Sequence, residues 1–187
     1  LKATSGGGGR GIRRCNSEAE LRRNYERVLS EARKAFGSAE IFLEKCVDRP
    51  RHIEVQILAD QQGNVIHLFE RDCSIQRRHQ KLIEIAPSPQ LTDEQRRIIG
   101  DYAVRAAKAV GYQNAGTVEF LMDENQQFYF MEMNTRLQVE HTVTESITGI
   151  DIVREQIRIA DGQPLSFKQE EIRRRGFAMQ FRINAED

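Results

Sequence analysis

Apolar residues follow two different periods along the chain, and each period predicts a different kind of element. A spacing of three and four residues predicts three helices, over 18–35, 92–111 and 143–161. The first two begin with capping-box patterns, in which Ser17 is followed by Glu20 and Thr92 by Gln95. Strands are predicted where apolar and polar residues alternate or short apolar runs occur, at 1–4, 41–47, 52–57, 65–70, 117–123, 128–133 and 176–185.

Two pairs of the predicted strands are close enough in sequence to form hairpins. The segment 60–64 turns the chain between the strands 52–57 and 65–70, and the segment 124–127 joins the strands 117–123 and 128–133. Hairpins mixed with helices, rather than strict strand–helix–strand alternation, are typical of the α+β class. We therefore expect a mainly antiparallel sheet with flanking helices, in which 52–57 is a half-buried strand.

Composition excludes two broad classes of partner. The chain has 187 residues, with 28 Lys and Arg against 28 Asp and Glu, so its formal net charge is zero. Neutrality gives no general electrostatic reason to bind nucleic acid or an anionic membrane surface. No stretch approaches the roughly 20 consecutive apolar residues of a membrane-spanning helix. We expect neither a nucleic acid nor a membrane as partner.

The cysteines indicate the redox conditions of the compartment, and the chain ends indicate that the sequence is part of a longer one. Three cysteines without a CxxC pair indicate neither a disulfide framework nor a zinc ribbon, which favours a reducing compartment such as the cytoplasm, or the mitochondrial matrix in a eukaryote. The chain starts at Leu1 within a strand pattern and stops two residues after another. We expect a piece of a longer protein, truncated at both ends.

A glycine-rich run at residues 5–11 is the first candidate binding element. Backbone N–H groups on a loop without side chains can surround phosphate oxygens. The run matches neither of the common glycine-rich nucleotide motifs, so a flexible linker remains an alternative. Lys2, which precedes the run, favours the phosphate interpretation because it adds a positive charge.

The predicted hairpin 117–133 places two carboxylates opposite each other. If residues 124–127 form the turn, Asp123 opposes Phe128 and Glu119 opposes Glu132. Directly opposed carboxylates repel, so the arrangement indicates a cation between them. With the amide oxygen of Asn134 they form a ligand set for a hard cation such as Mg²⁺. The alternative is a register shifted by one residue, with both acids facing water.

Polar residues continue from this hairpin at every second position. The stripe consists of Glu132, Asn134, Arg136, Gln138 and Glu140, which an extended chain would project to one side. Its mixture of acids, amides and a guanidinium indicates a site rather than a solvated face. Arg136 is suited to a small oxyanion, and Glu140 is a candidate base for whatever Arg136 binds.

The basic segment 71–81 and the histidines carry weaker signals. A basic run is most often a solvated loop, and this one has no aromatic residues on which nucleic-acid bases could stack. The four histidines show no zinc-binding spacing.

Four motifs taken together resemble one family. They are Lys-Ala at 2–3 before the glycines, ERDCSIQRRHQK at 70–81, EMNTRLQVEH at 132–141 and RINAED at 182–187. The combination, which runs from Leu1 to Asp187, is similar to biotin carboxylases, which are ATP-grasp enzymes. The resemblance implies an ATP-grasp fold, with residues 1–46 as part of the small lobe and 47–187 as the large lobe.

The resemblance also implies a nucleotide and metal site. ATP would be bound by Lys2, Gly8, Gly9, Glu44, Lys45, Cys46, Val47, His52, Gln76, His79, Glu119 and Glu132. Mg²⁺ or Mn²⁺ would be held by Glu119, Glu132 and Asn134, the same set that the opposed carboxylates indicate.

The resemblance finally implies substrates, catalytic residues and partners. Bicarbonate would be bound by Arg136, Gln138 and Val139 with help from Lys81, Glu140 would deprotonate it, and Arg182 would stabilise the enolate of biotin. The expected partners are a biotin carboxyl carrier protein or domain, a carboxyltransferase component and a second copy of the full-length protein. Two alternatives stay open, namely another ATP-grasp carboxylate ligase and a non-catalytic nucleotide-binding module. The final carboxyl acceptor is not encoded in this segment.

Overall fold

The computed structural model describes residues 1–5, 11–37 and 39–185 and divides them into two compact units. The first unit is Leu1–Asp48 and the second is Arg49–Asp187. The boundary lies two residues from the one that the sequence predicts. The assignment of these units as ATP-grasp lobes stays a prediction.

The first unit contains one long helix and a small sheet. Strand β1 (Lys2–Ala3) pairs antiparallel with β2 (Ile41–Phe42), and helix α1 (Glu18–Phe36) lies between them in sequence. The side chain of Ser17 accepts a hydrogen bond from the Glu20 amide, which is half of the predicted capping box. The other half does not form, because the Glu20 carboxylate accepts from the Asn16 amide instead. Gly37 ends the helix in the left-handed conformation. The predicted strand 41–47 is wrong in extent, because only its first two residues pair.

The second unit is built on a six-stranded sheet whose neighbouring strands are all antiparallel. The strand order is β7-β6-β3-β4-β5-β8. The strands are β3 (Arg51–Ala59), β4 (Val65–Arg77), β5 (Gln80–Ala86), β6 (Asn114–Met122), β7 (Phe128–Asn134) and β8 (Ala178–Phe181). β5 and the second half of β4 are not predicted from the sequence, because the basic segment 71–81 is assigned to a loop. β8 is also shorter than the predicted strand 176–185.

Helices flank the sheet, which confirms the predicted α+β class. They are α2 (Asp93–Ala109), α3 (His141–Thr148) and α4 (Ile152–Ala160), with a 3₁₀ turn at Gln169–Glu171. The capping box at Thr92 and Gln95 is present as predicted. The single helix predicted over 143–161 is wrong, because Gly149 ends α3 in the left-handed conformation and Asp151 caps a new helix.

The two sides of β3 carry different chemistry. Ile53, Val55 and Ile57 pack in an apolar cluster with α2 residues such as Ile99. The alternate positions Glu54 and Gln56 are also fully buried, so the expectation of a half-buried strand is wrong. Burial of polar groups is costly unless they are hydrogen-bonded, so these residues mark the place where a polar network must form. Among the described residues, no helix is both long and apolar enough to cross a membrane.

Candidate active site

Lys81 is the common partner of three buried carboxylates. Its ammonium contacts Glu54, lies 2.9 Å from Glu119 Oε1 and lies 2.6 Å from Glu140 Oε1. Burial alone would lower the pKa of Lys81, but the negative charge of Glu54, followed by those of other anions including Glu119 and Glu140, raises the pKa above its ordinary value. Lys81 is therefore a fixed cation, and it brings together acids from β3, β6 and the start of α3.

Glu119 faces Glu132 across the β6–β7 hairpin, as the sequence predicts. The predicted partner of Phe128 is wrong, because Met122 rather than Asp123 lies opposite it. A bulge between Glu119 and Phe120 inserts one residue into the pairing and restores the expected carboxylate pair.

The carboxylate of Glu119 receives hydrogen bonds on both oxygens. His52 Nε2 lies 2.7 Å from Oε2, while Asn134 Nδ2 and Gln138 Nε2 donate to Oε1 at 2.9 and 3.0 Å. Burial would raise the pKa of Glu119, but the hydrogen bond from His52 and the charge of Lys81 outweigh it and hold the pKa well below its ordinary value. Glu119 is therefore ionised at neutral pH.

The tautomer of His52 follows from its two contacts. Gln76 Nε2 lies 2.8 Å from His52 Nδ1 and also donates to the carbonyl of Cys73. An amide nitrogen is only a donor, so Nδ1 of His52 accepts and Nε2 carries the hydrogen that Glu119 receives. Three predicted nucleotide-site residues, His52, Gln76 and Glu119, thus form one chain of hydrogen bonds.

Glu140 lies between two cations. Lys81 contacts Oε1, and Arg182 Nη2 lies 3.6 Å from Oε2 and the same distance from Glu84 Oε1. Burial would raise the pKa of Glu140, but the charge and hydrogen bond of Lys81 lower it. Burial and the nearby charge of Glu140 raise the pKa of Glu84, whose fully buried oxygens accept no hydrogen bond from the described residues.

The predicted period-two stripe extends only as far as Asn134. β7 ends there, and the His141 amide donates to the Gln138 carbonyl in a turn that leads into α3. Gln138 and Glu140 are buried, whereas Arg136 is exposed and donates to the carbonyl of Leu137. The expectation that the whole stripe projects to one side is wrong, because the chain is not extended after residue 134.

Other predicted site residues lie apart from this cluster. Val139 is 61% exposed, and His79 is exposed in the β4–β5 turn with a positive φ of 65°. Glu132 faces Glu119 in the register but is only half-buried.

The first unit carries the remaining predicted nucleotide-site residues. Lys2 Nζ lies 3.6 Å from Glu44 Oε2 and 5.8 Å from the centre of the Phe42 ring. Lys45 and Cys46 are exposed and Val47 is half-buried, all outside a strand. Gly8 and Gly9 lie outside the described residues.

Several buried polar residues of the site escape sequence reasoning. They are Glu54, Gln56, Arg71, Glu84, Thr117 and Thr144. Arg71, for example, is fully buried although it belongs to the basic run 71–81, for which the sequence favours a solvated loop. The signal for this burial in the sequence is the alternation of Glu54 and Gln56 with isoleucine and valine. The alternation is compatible with a buried polar network as well as with a solvated face.

The donor set of the β6–β7 hairpin is suited to a divalent cation. Glu119 and Glu132 offer carboxylate oxygens, and Asn134 uses its Nδ2 on Glu119, which leaves its Oδ1 available to a ligand. A second group, His52, Glu54 and Glu119, has ligand atoms within 4.8 Å of one another, but Lys81 already neutralises two of its members. In the first set Lys81 contacts Glu119 alone, so this set fits a hard cation better.

Comparison with known proteins identifies the relatives of this architecture. The family model for the carbamoyl-phosphate synthase L chain, ATP binding domain, matches residues 1–168. The 2-oxoglutarate carboxylase small subunit of Hydrogenobacter thermophilus is 62% identical and biotin carboxylase 2 of Bacillus subtilis is 58% identical, both over the whole chain. The chain spans 40% and 42% of the lengths of these two relatives.

Solved structures agree with the sequence comparison. The biotin carboxylase domain dimer of Hydrogenobacter thermophilus 2-oxoglutarate carboxylase, in complex with MgADP, ADP and bicarbonate, matches with a TM-score of 0.93 and 61% identity. The biotin carboxylase-beta-gamma-ATP complex of Campylobacter jejuni matches with a TM-score of 0.95 and 52% identity. Both matches cover the whole of this chain, and 41% and 42% of those chains.

These neighbours confirm the predicted ATP-grasp fold and the resemblance to biotin carboxylases. The relatives are subunits or domains of biotin-dependent carboxylases, and one was solved as a dimer. The chain belongs to the family of carbamoyl-phosphate synthase L chain ATP-binding domains, and its similar relatives in that family include biotin carboxylases.

Proposed function

We propose that this chain is the core of a biotin carboxylase, which uses ATP and bicarbonate to carboxylate biotin on a carrier protein. The observation that carries the proposal is Glu140, a buried carboxylate placed between the cations Lys81 and Arg182. Such a group can accept a proton while the neighbouring cations stabilise the negative charge that develops on the substrate.

Bicarbonate binds in this proposal at the turn that leads into α3. Arg136, Gln138 and the backbone of Val139 hold the anion, and Lys81 adds a positive charge. Glu140 accepts the proton of bicarbonate, whose oxygen attacks the γ-phosphorus of ATP as ADP leaves. The product is carboxyphosphate, and its formation is a phosphoryl transfer that depends on positioning and charge stabilisation.

Biotin reacts in the second step. Carboxyphosphate releases CO₂ and phosphate, the phosphate removes the proton from the ureido nitrogen, and Arg182 stabilises the enolate that results. The nitrogen then attacks CO₂ to give carboxybiotin. Arg182 Nη2 lies 3.6 Å from both Glu84 and Glu140, and in the proposal these two acids orient its guanidinium.

The residues proposed for ATP binding are found in each of the two units. In the second unit His52, Gln76, His79, Glu119 and Glu132 contact the nucleotide or its metal ion. Mg²⁺ or Mn²⁺, held by Glu119, Glu132 and Asn134, would offset the negative charge of the phosphates. In the first unit the binding residues are Lys2, Gly8, Gly9, Glu44, Lys45, Cys46 and Val47.

The wider assignments are also proposals. The partners are a biotin carboxyl carrier protein or domain, a carboxyltransferase component and a second copy of the full-length protein, in line with the dimer solved for a relative. A reducing compartment, the cytoplasm or the mitochondrial matrix, is favoured by the free thiols of Cys15, Cys46 and Cys73.

Phosphate release by the full-length protein tests the function. ATP is supplied with biotin and bicarbonate, each present or withheld in turn, and the proposal predicts rapid release only when both are present. ATP cleavage that responds to another carboxylic acid instead of bicarbonate would favour a different ATP-grasp ligase. Nucleotide binding without turnover under every condition would favour a non-catalytic module.

A further inference from the structure

The guanidinium of Arg71 is fully buried, and each of its five N–H groups points to a different acceptor side chain. Nε donates to Glu54 Oε1 at 2.6 Å, Nη1 to Gln56 Oε1 at 2.8 Å and Thr144 Oγ1 at 2.9 Å, and Nη2 to Thr117 Oγ1 at 3.2 Å and Gln138 Oε1 at 3.3 Å. These acceptors belong to β3, β6, α3 and the turn before α3. Arg71 therefore links four parts of the site while its hydrogen-bonding capacity is completely used.

The contact with Arg71 decides which way the Gln138 side chain faces. A guanidinium has only donors, so the Gln138 atom next to it must be the amide oxygen. The amide nitrogen then faces Glu119, to which it donates at 3.0 Å. The side chain of Gln138 is thereby fixed at both ends, and the turn 136–140 is attached to the sheet through it.

Arg71 fixes Glu54 in the same way. One carboxylate oxygen accepts from Arg71 and the other contacts Lys81. Lys81 in turn contacts Glu119 and Glu140. The position of the Lys81 ammonium therefore depends on a carboxylate that Arg71 orients.

We propose that Arg71 is a positioning residue, which holds Gln138 and, through Glu54, Lys81 in the arrangement that binds bicarbonate. This inference rests on the proposed function. It assigns Arg71 no contact with a substrate. Its effect is expected in the binding of bicarbonate rather than in that of ATP, because the residues that it orients belong to the proposed anion site.

Lysine cannot replace arginine at this position. An ammonium has three N–H donors where the site presents five acceptors, so at least two buried acceptors lose their partner. Charge is conserved in Arg71→Lys, and the variant therefore tests the planar arrangement of the five guanidinium donors rather than the presence of a cation.

Arg96 provides a matched control. It is also buried, and its guanidinium binds Glu70, Asp93 and the carbonyls of Ser88 and Leu91, all outside the proposed site. Arg96→Lys likewise replaces a buried guanidinium with an ammonium. Both variants are expected to lower the melting temperature, but only Arg71→Lys is expected to change substrate kinetics.

The experiment measures kcat and the KM values for bicarbonate and ATP in the full-length protein. We expect Arg71→Lys to raise the bicarbonate KM at least tenfold with less than a twofold change in the ATP KM, and Arg96→Lys to change neither. An unchanged bicarbonate KM in Arg71→Lys, or the same increase in both variants, would overturn the inference. A wild-type protein whose ATP cleavage ignores bicarbonate would instead refute the proposed function.

Thr117→Val keeps the test decisive if Arg71→Lys does not fold. Valine removes the second acceptor from Nη2, the nitrogen that holds Gln138, and keeps the shape of the side chain. We expect about a threefold increase of the bicarbonate KM, with the ATP KM unchanged. A bicarbonate KM equal to that of the wild type in this variant would also contradict the role of Arg71.

Discussion

Two buried arginines of the second unit illustrate two uses of a buried charge. Arg96 binds Glu70 on β4, and its other acceptors are Asp93 and two backbone carbonyls within eight residues along the chain. Arg71 binds only side chains, which lie 15 to 73 residues away in sequence. The first network fastens the start of α2 to the sheet, while the second forms only when β3, β6 and α3 have come together.

The two networks indicate where a functional site can be expected in such a fold. A network completed mostly by groups close in sequence, such as that of Arg96, is explained by local packing and needs no ligand or substrate to account for it. A network of side chains from distant elements requires all of these groups to be desolvated and ordered together, and here it surrounds the acids and cations of the candidate site. We refer to these as the Arg96 network and the Arg71 network.

Glu140→Gln is expected to have the largest effect on activity. Removal of the proposed base from the region supported by the Arg71 network should lower kcat by about 10²–10⁴-fold. Lys81 keeps Glu54 and Glu119 as partners, so ATP binding should persist. Steady-state kinetics together with nucleotide titration measure both quantities, and a kcat within twofold of wild type would remove Glu140 from the mechanism.

Glu70→Gln is expected to have the opposite profile. Arg96 would lose its only buried carboxylate partner among the described residues, at a cost of about 3 kcal/mol in the free energy of unfolding. Urea denaturation measures this loss, and kinetics at a temperature where the variant is folded should match wild type. A reduced kcat without a loss of stability would mean that the Arg96 network also serves the reaction.

Glu140 and Glu84 should respond to pH in opposite directions, although both lie 3.6 Å from Arg182. The pKa of Glu140 is lowered, so its stabilising contribution is present above the ordinary value of 4.5 and is lost as the pH falls through the folded-state pKa. The pKa of Glu84 is raised, so its contribution is present below 4.5 and is lost as the pH rises through the folded-state pKa.

The two glutamine variants separate these contributions. At about pH 7, Glu140→Gln should be less stable than wild type and Glu84→Gln should be more stable. Both differences should shrink as the pH approaches and falls below the ordinary value of 4.5. Urea denaturation across this range measures them, and differences of the same sign would contradict the pKa directions.

Thr92→Ala is expected to have the smallest effect. Loss of the cap at the start of α2, which carries Arg96, should lower the free energy of unfolding by about 1 kcal/mol. The substitution leaves the Arg71 network intact, so kcat and the bicarbonate KM should not change. A kinetic effect would indicate that α2 and the candidate site are coupled.

Local signals allowed much of the fold to be predicted from the sequence. The capping residues Ser17 and Thr92 begin helices as expected, because a cap depends only on residues within one turn. The pairing of Glu119 with Glu132 was also predicted, although two deviations cancel there, a turn longer by one residue and a bulge.

Features that depend on distant partners could not be predicted in the same way. Arg71 resembles the other arginines of its run until β3, β6 and α3 surround it, so its burial is a property of the whole fold. The prediction that the stripe 132–140 is extended is wrong for a related reason. Alternating residues indicate an extended chain only while a neighbouring strand pairs with it, and that pairing ends at Asn134. Gln138 and Glu140, which the motif resemblance singles out, lie in the region where the buried acids and cations gather, and their roles stay predictions.

In the proposed mechanism bicarbonate attacks ATP at the site around Glu140. To examine this step, ¹⁸O-labelled bicarbonate is supplied to the full-length protein with ATP and biotin, and the mass of the released phosphate is measured. An oxygen of bicarbonate becomes bonded to phosphorus in carboxyphosphate and stays there when CO₂ departs, so each phosphate should contain one labelled oxygen. Unlabelled phosphate would show that water, rather than bicarbonate, attacks the nucleotide, and would refute the proposed mechanism.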